Sequence, residues 1–198
     1  VEQIQRARLC YAMAEVMAEK GYVATSVQDV LERATISRQS FYQLFDSKLD
    51  CFMAAFDGAG ALLLGRLSEM VGLGGAGEPG EGPAGGPLER FEHALTAYLE
   101  VLATEFPFTR LFLVEVYAAG PDAIRRRTDL QAVVADVLAD MMGVGGEEGR
   151  FTCRLIVAAT SAMVTPAVAA GDPDGLRAIG PPLIDHVRRL WTTGAFGT

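Results

Sequence analysis

Residues 26–48, Ser-Val-Gln-Asp-Val-Leu-Glu-Arg-Ala-Thr-Ile-Ser-Arg-Gln-Ser-Phe-Tyr-Gln-Leu-Phe-Asp-Ser-Lys, decide how the chain is read. Ser26 can accept a hydrogen bond from the free N–H groups that open a helix, and Asp29 stands three residues on, the spacing of a capping box. Val27, Val30 and Leu31 then share one face. Ala34 ends this helix with a side chain small enough for a second helix to cross nearby. Ser37 is a second helix-opening residue, followed by Phe41, Leu44 and Phe45 at i, i+3 and i+4. Arg38, Gln39, Ser40, Tyr42 and Gln43 fall on the other side. Two short helices joined by a three-residue turn make a helix-turn-helix unit.

The outward side of the second helix has the chemistry of a base reader. Arg can donate two hydrogen bonds to the major-groove edge of guanine, Gln can pair with adenine, and Ser suits either. Arg38, Gln39 and Ser40 occupy the N-terminal end, the part of a recognition helix that meets bases. Tyr42 and Lys48 are of the type that holds phosphates, and Lys48 opens the next helix.

Residues 9–56 resemble the DNA-binding domain of the TetR family of bacterial transcription regulators. Leu9, Ala12, Met13, Val16 and Met17 match its first helix, with Glu19-Lys20-Gly21-Tyr22 and Thr25-Ser26-Val27 after it. Ser37 to Phe45 is similar to the family's S-R-x-[ST]-[LF]-Y-x-x-F, and Ser47-Lys48 to the pair opening its fourth helix. The family usually has Gly in the turn between the two short helices, where this chain has Thr35. A β-branched residue disfavours positive φ, so the turn must adopt another conformation or carry strain.

The resemblance implies an all-α fold. A three-helix, homeodomain-like DNA-binding domain over residues 1–46 would precede a larger helical ligand-binding and dimerisation domain over 47–198. It also implies double-stranded DNA as partner, with Thr25, Ser26, Ser37, Tyr42 and Lys48 on the backbone and Arg38, Gln39 and Ser40 on the bases. The expected protein is a homodimeric repressor in the bacterial cytoplasm. An activator, or an all-α enzyme or carrier without DNA binding, is the alternative.

The periodicity is helical throughout. A first helix spans about 3–19 and ends at Gly21, and a fourth runs from Ser47 through Phe52, Phe56, Ala59, Leu63, Leu67 and Met70. Residues 72–87 are rich in Gly and Pro and read as a flexible loop. Further helices are expected at 88–105, 107–119, 122–142, 150–170 (kinked or interrupted at Pro166) and 175–193. Aromatic and methionine side chains recur there, and Phe56, Tyr98, Phe112, Glu115, Tyr117, Thr160 and Met163 are candidates to meet a largely apolar small molecule. The last two helices carry small residues (Ala158, Ala159, Ser161, Ala162) and an apolar stripe (Leu183, Val187, Leu190, Trp191), suited to a symmetric interface with a second copy.

Composition sets limits. Half of the 198 residues are hydrophobic, enough for a sizeable core. No run of 18 or more apolar residues suggests a membrane span, and no basic-then-apolar opening suggests a secretion signal; the opening Val leaves room for residues upstream. His93 and His186 stand apart from any ligand-spaced cluster, so neither metal nor cofactor is expected. No G-x-S-x-G or H-E-x-x-H points to catalysis. Cys10, Cys51 and Cys153 are far apart and read as reduced core thiols, and Arg125-Arg126-Arg127 as a solvated patch. The net charge of −8 is unusual for a DNA binder. Residues 1–50 hold six basic and seven acidic side chains, so the excess acid lies mostly beyond them.

Overall fold

A computed structural model describes residues 2–71 and 85–197. The expected loop at 72–87 thus falls almost wholly outside the described residues; its last residue, Pro87, opens a helix. Every regular element among the described residues is helical: α1 (Glu2–Ala24), α2 (Val27–Ala34), α3 (Arg38–Leu44), α4 (Lys48–Val71), α5 (Pro87–Thr104), α6 (Phe106–Arg110), a π-helical turn (Leu111–Glu115), α7 (Val116–Ala119), α8 (Pro121–Met142), α9 (Glu147–Ala170), α10 (Pro173–Ala178) and α11 (Gly180–Thr192). They pack as two units, residues 1–62 with 105–127, and residues 63–104 with 128–198.

The first unit is built on the apolar face of α1. Leu9, Ala12, Met13, Val16 and Met17 are buried there, and Val30, Leu31, Phe41, Phe45, Phe52, Phe56 and Leu111 join them. Gly21 breaks α1 with φ 78° and ψ 164°, a conformation open to residues without a Cβ, and a last turn follows it to Ala24. Thr25 fills the corner, 2% exposed, its hydroxyl donating to the Gly21 carbonyl at 2.7 Å. The Ser26–Asp29 capping box forms in both directions.

The end of α2 resolves the question posed by Thr35. Its φ of 53° and ψ of 51° are left-handed, and it is the one non-glycine residue with positive φ among those described. The Ile36 N–H reaches Leu31 O at 3.1 Å and the Thr35 N–H reaches Glu32 O at 3.3 Å. These are the two bonds of a Schellman motif, which ordinarily takes Gly at this place. The turn therefore keeps the glycine geometry and carries the strain.

In the second unit, Phe91, Leu95, Leu99 and Leu102 of α5 are buried. Arg177 of α10 holds Glu100 through two bonds of 2.9 and 3.0 Å, and Arg90 of α5 donates to Met141 O at the end of α8. Helix α9 runs through Pro166 without interruption. The expected last helix, 175–193, is two helices, α10 and α11. Pro181 and Pro182 lack the N–H groups that would continue α10, and they sit in the first turn of α11 instead, where no such bond is needed. By length and composition α9 could cross a membrane, but it also supplies Cys153, Ile156, Thr160, Val164 and Val168 to the buried set.

Candidate nucleic-acid interface

The second short helix is held from behind and left open in front. Phe41 and Phe45 are 0% and 2% exposed. Arg38, Gln39, Tyr42 and Gln43 are exposed, and Ser40 is half-buried. Ser37 opens the helix, its hydroxyl accepting from the Ser40 N–H at 3.1 Å and lying 2.9 Å from the Ser40 hydroxyl. The Tyr42 ring meets Phe41 edge-on at 5.3 Å, which leaves its phenol outward.

Cations fix the frame. Arg6 donates to Leu44 O, the last carbonyl of α3, at 3.2 Å and lies over the Phe45 ring at 4.5 Å. Arg8 donates to Ala34 O, the last carbonyl of α2. Both sit where a helix dipole favours positive charge. Lys48 donates to Tyr22 O and Thr25 O, each at 2.9 Å, and lies 4.1 Å from the Tyr22 ring centre. Burial lowers the Lys48 pKa and raises that of Tyr22. Asp29 receives Lys20 at 2.7 Å as well as the Ser26 hydroxyl and amide. The Lys20 hydrogen bond, then those of Ser26, hold its carboxyl well below the usual range. Arg33 is bound by Glu19 and Glu15.

The residues expected at a DNA backbone thus divide. Ser26, Ser37 and Tyr42 are exposed, the Ser26 hydroxyl donating to Asp29 at 2.7 Å. Thr25 is buried with its hydroxyl committed to Gly21 O, so its side chain serves the corner, and α1 runs up to it rather than stopping before Gly21. Lys48 commits two of its three N–H donors to carbonyls and staples the start of α4 to that corner. Gln28, which sequence reasoning passed over, accepts from Arg38 at 3.3 Å and donates to Glu32 at 2.9 Å. Its position one turn before Glu32, facing the reading helix, was the available signal.

Residues 12–55 match the family model described as bacterial regulatory proteins, tetR family. The chain carries a TetR-family domain. A curated relative, the uncharacterized HTH-type transcriptional regulator YezE of Bacillus subtilis (strain 168), is 34% identical over 70 residues, 33% of this chain. The match spans 36% of that relative's length. Among solved structures, a transcriptional regulator from Rhodococcus sp. Rha1 is similar at TM-score 0.69 and 22% identity, covering 93% of this chain and 96% of its own. The fatty acid degradation regulator FadR from Bacillus halodurans is similar at TM-score 0.72 and 16% identity, over 91% and 93%. At such identities these likenesses establish the fold, a TetR-type amino-terminal domain continued by a helical remainder.

The candidate DNA-binding residues lie within the matched segment 12–55, and those offered for a small molecule fall in both units. In the first, Phe56 is buried and stacks on Phe112 with ring centres 4.6 Å apart and planes at 12°. Glu115 is 6% exposed, accepting from the Tyr22 N–H at 2.7 Å and lying 3.1 Å from Arg110 Nε. Tyr117 is exposed and its phenol is held by Arg127, which is itself buried. The reading of Arg125-Arg126-Arg127 as a solvated patch holds for Arg125 and Arg126, both exposed and paired with Asp122 and with Asp57 at 2.8 Å, and is corrected only at Arg127, which is buried and lies against Tyr117. In the second unit, Tyr98 is half-buried, Thr160 returns its hydroxyl to Ile156 O, and Met163 is exposed.

Proposed function

We propose that this protein is a DNA-binding transcriptional regulator of the bacterial cytoplasm that acts as a homodimer and as a ligand-responsive repressor. The observation that carries the reading is the unpacked Arg38–Gln39–Ser40 edge on a helix whose opposite side, Phe41 and Phe45, is locked in the core. Arg38, Gln39 and Ser40 read bases; Ser26, Ser37 and Tyr42 meet phosphates. Lys48 lends its charge to the same edge while holding the corner, and Thr25 supports it from inside.

Dimerisation is supported by α9. Phe151, Leu155 and Met163 are 52%, 53% and 43% exposed, and Ala158, Ala159, Ala162 and Pro166 are exposed with them. Positions 151, 155, 158, 162 and 166 follow one helical face. On α11, Leu183 and Val187 are buried inside their own unit, so less of that helix is left for a partner than its pattern suggested. A two-fold pair built on α9 would present two reading helices to the two halves of a palindrome. The effector is a small, largely apolar molecule, with Phe56, Phe112 and Tyr117 as its proposed contacts in the first unit and Tyr98 and Thr160 as those in the second; Met163 is assigned to the exposed face of α9 instead. Glu115 is spent on the Tyr22 amide and is left out of that set.

The test is selection of duplexes from a random library, followed by anisotropy titration of the selected site. Arg38→Ala should cost about 1–3 kcal/mol and relax preference at one base position in each half-site. Affinity should fall steeply with salt, since phosphate contacts dominate it. Recovery of no preferred sequence, or unchanged binding by Arg38→Ala, would overturn the assignment.

A further inference from the structure

Residues 109–115 combine features that base reading leaves unused. Leu111–Glu115 forms a single π-helical turn between two α-helical stretches. Turns of this kind are rare and are found mostly as single interruptions of α-helices, often at functional sites. The turn grips the corner between α1 and α2 in two ways. At its end, Glu115 accepts from the Tyr22 N–H at 2.7 Å, directly after the Gly21 break. A Cβ on Gly21 would stand 3.3 Å from Glu115 Oε2, so corner and carboxylate are closely fitted. In its middle, Phe112 stacks on Phe56; Phe56 meets Phe52 at 6.3 Å, and Phe52 meets the Tyr22 ring edge-on at 5.3 Å. A polar bond and a chain of rings therefore converge on the same residue, Tyr22.

Thr109 is a second buried polar group at this segment. It is 0% exposed, and its hydroxyl has no hydrogen-bond partner among the described residues. Thr104, Thr160 and Thr165 return their hydroxyls to a carbonyl one turn back. Thr109 stands two residues before the π turn.

We propose that Leu111–Glu115 is a register latch: in π register it fixes the α1–α2 corner, and passage to α register releases it. Closing the turn by one residue rotates Glu115 about the helix axis by about 100° relative to the residues before the turn, the angle of one residue at 3.6 per turn. That carries its carboxylate off the Tyr22 amide. A molecule that meets this segment then shifts the latch by its difference in affinity for the two registers. The regulatory half of this inference rests on the DNA-binding reading; the structural half does not.

The experiment uses the full chain, wild type, Glu115→Ala and Glu115→Gln, with two measurements. Without DNA, exchange of the Tyr22 amide should accelerate about tenfold or more in Glu115→Ala, as expected for loss of a charge-assisted bond, and less in Glu115→Gln, which keeps an acceptor. With the selected duplex, Glu115→Ala should bind several-fold more weakly while its base preferences stay unchanged. If Glu115→Ala does not fold, Glu115→Gln decides by the same two readouts. Unchanged Tyr22 exchange overturns the latch whether or not DNA is bound. Faster exchange with undiminished affinity for DNA overturns its regulatory half. If the wild type selects no DNA, the regulator reading fails, and the exchange result alone decides the latch.

Discussion

Thr35→Gly should stabilise the protein, although it removes a side chain from the motif proposed to bind DNA. At φ 53° and ψ 51° the threonine sits in a region that costs an L-residue about 1–2 kcal/mol. Glycine is free of that cost. Its greater freedom in the unfolded chain takes back about 0.4–1 kcal/mol, which leaves a net gain of about 0.5–1 kcal/mol. Little else changes, because Thr35 is exposed and the bonds of the turn are made by backbone N–H groups at 35 and 36. Urea unfolding at matched protein concentration reads the gain as a higher midpoint with an unchanged slope. For a chain of this size, 1 kcal/mol corresponds to about 2–4 °C in Tm. Thr35→Ala is the decisive control. It keeps the Cβ and therefore the strain, so it should gain nothing. If Thr35→Gly is no more stable than Thr35→Ala, the strain assigned to this turn is wrong.

Phe151→Glu or Leu155→Arg should convert a dimer to monomers in light scattering and weaken binding to a palindromic duplex; an unchanged mass would remove α9 as the interface. The Asp29 carboxyl is depressed by Lys20 and Ser26, so the stability it contributes is present above its unfolded pKa and lost as pH falls through that value toward the lower folded one. Asp29→Asn should therefore flatten the acid limb of a stability–pH curve below about pH 4, and an unaltered limb would show the capping box to be idle. Cys10 is pushed up to about 11 by burial, against a smaller opposing effect of Arg6. At pH 8 only about one thiol in a thousand is ionised. Alkylation of this half-buried thiol in the folded protein should be slow and become fast on unfolding, whereas rapid native labelling would refute the raised pKa.

Short-range features of the fold were legible and long-range ones were not. The Ser26–Asp29 box, the Ser37 cap and the burial of Phe41 and Phe45 follow from spacings of three or four residues, and the helices obey them. The dilemma at Thr35 was visible too, since residue type alone sets the two options, and the resolution depended on whether the turn would form its two backbone bonds. By contrast, nothing in the pattern shows that Lys48 also holds the corner before α2, because the carbonyls it binds lie 26 and 23 positions earlier. Glu115 reaches Tyr22 across 93 positions. No periodicity announces that contact, and none announces the π turn that makes it. Of the Arg triplet only Arg127 departs from its pattern, and for the same reason: it is buried with its guanidinium against the Tyr117 ring and phenol, a fact about packing.

The charge balance that counts against DNA binding in the sequence is better understood from partners than from totals. Six basic and seven acidic side chains occupy residues 1–50. Two of the basic ones, Lys20 and Arg33, are paired with three acids, Asp29, Glu15 and Glu19, a cluster that is left with one excess negative charge. Arg6, Arg8 and Lys48 bind carbonyl oxygens, and Arg38 binds the Gln28 amide oxygen. A neutral acceptor fixes a cation without cancelling its charge. These four therefore hold positive charge at fixed positions (the ends of α2 and α3, the reading helix itself, and the start of α4), set against the four remaining acids Glu2, Glu32, Asp46 and Asp50. Such fixed charges need little ordering when a phosphate arrives, which lowers the entropy lost on binding. A domain of near-zero net charge can in this way present a positive edge, and the field a duplex meets is set by which cations have been neutralised rather than by how many there are.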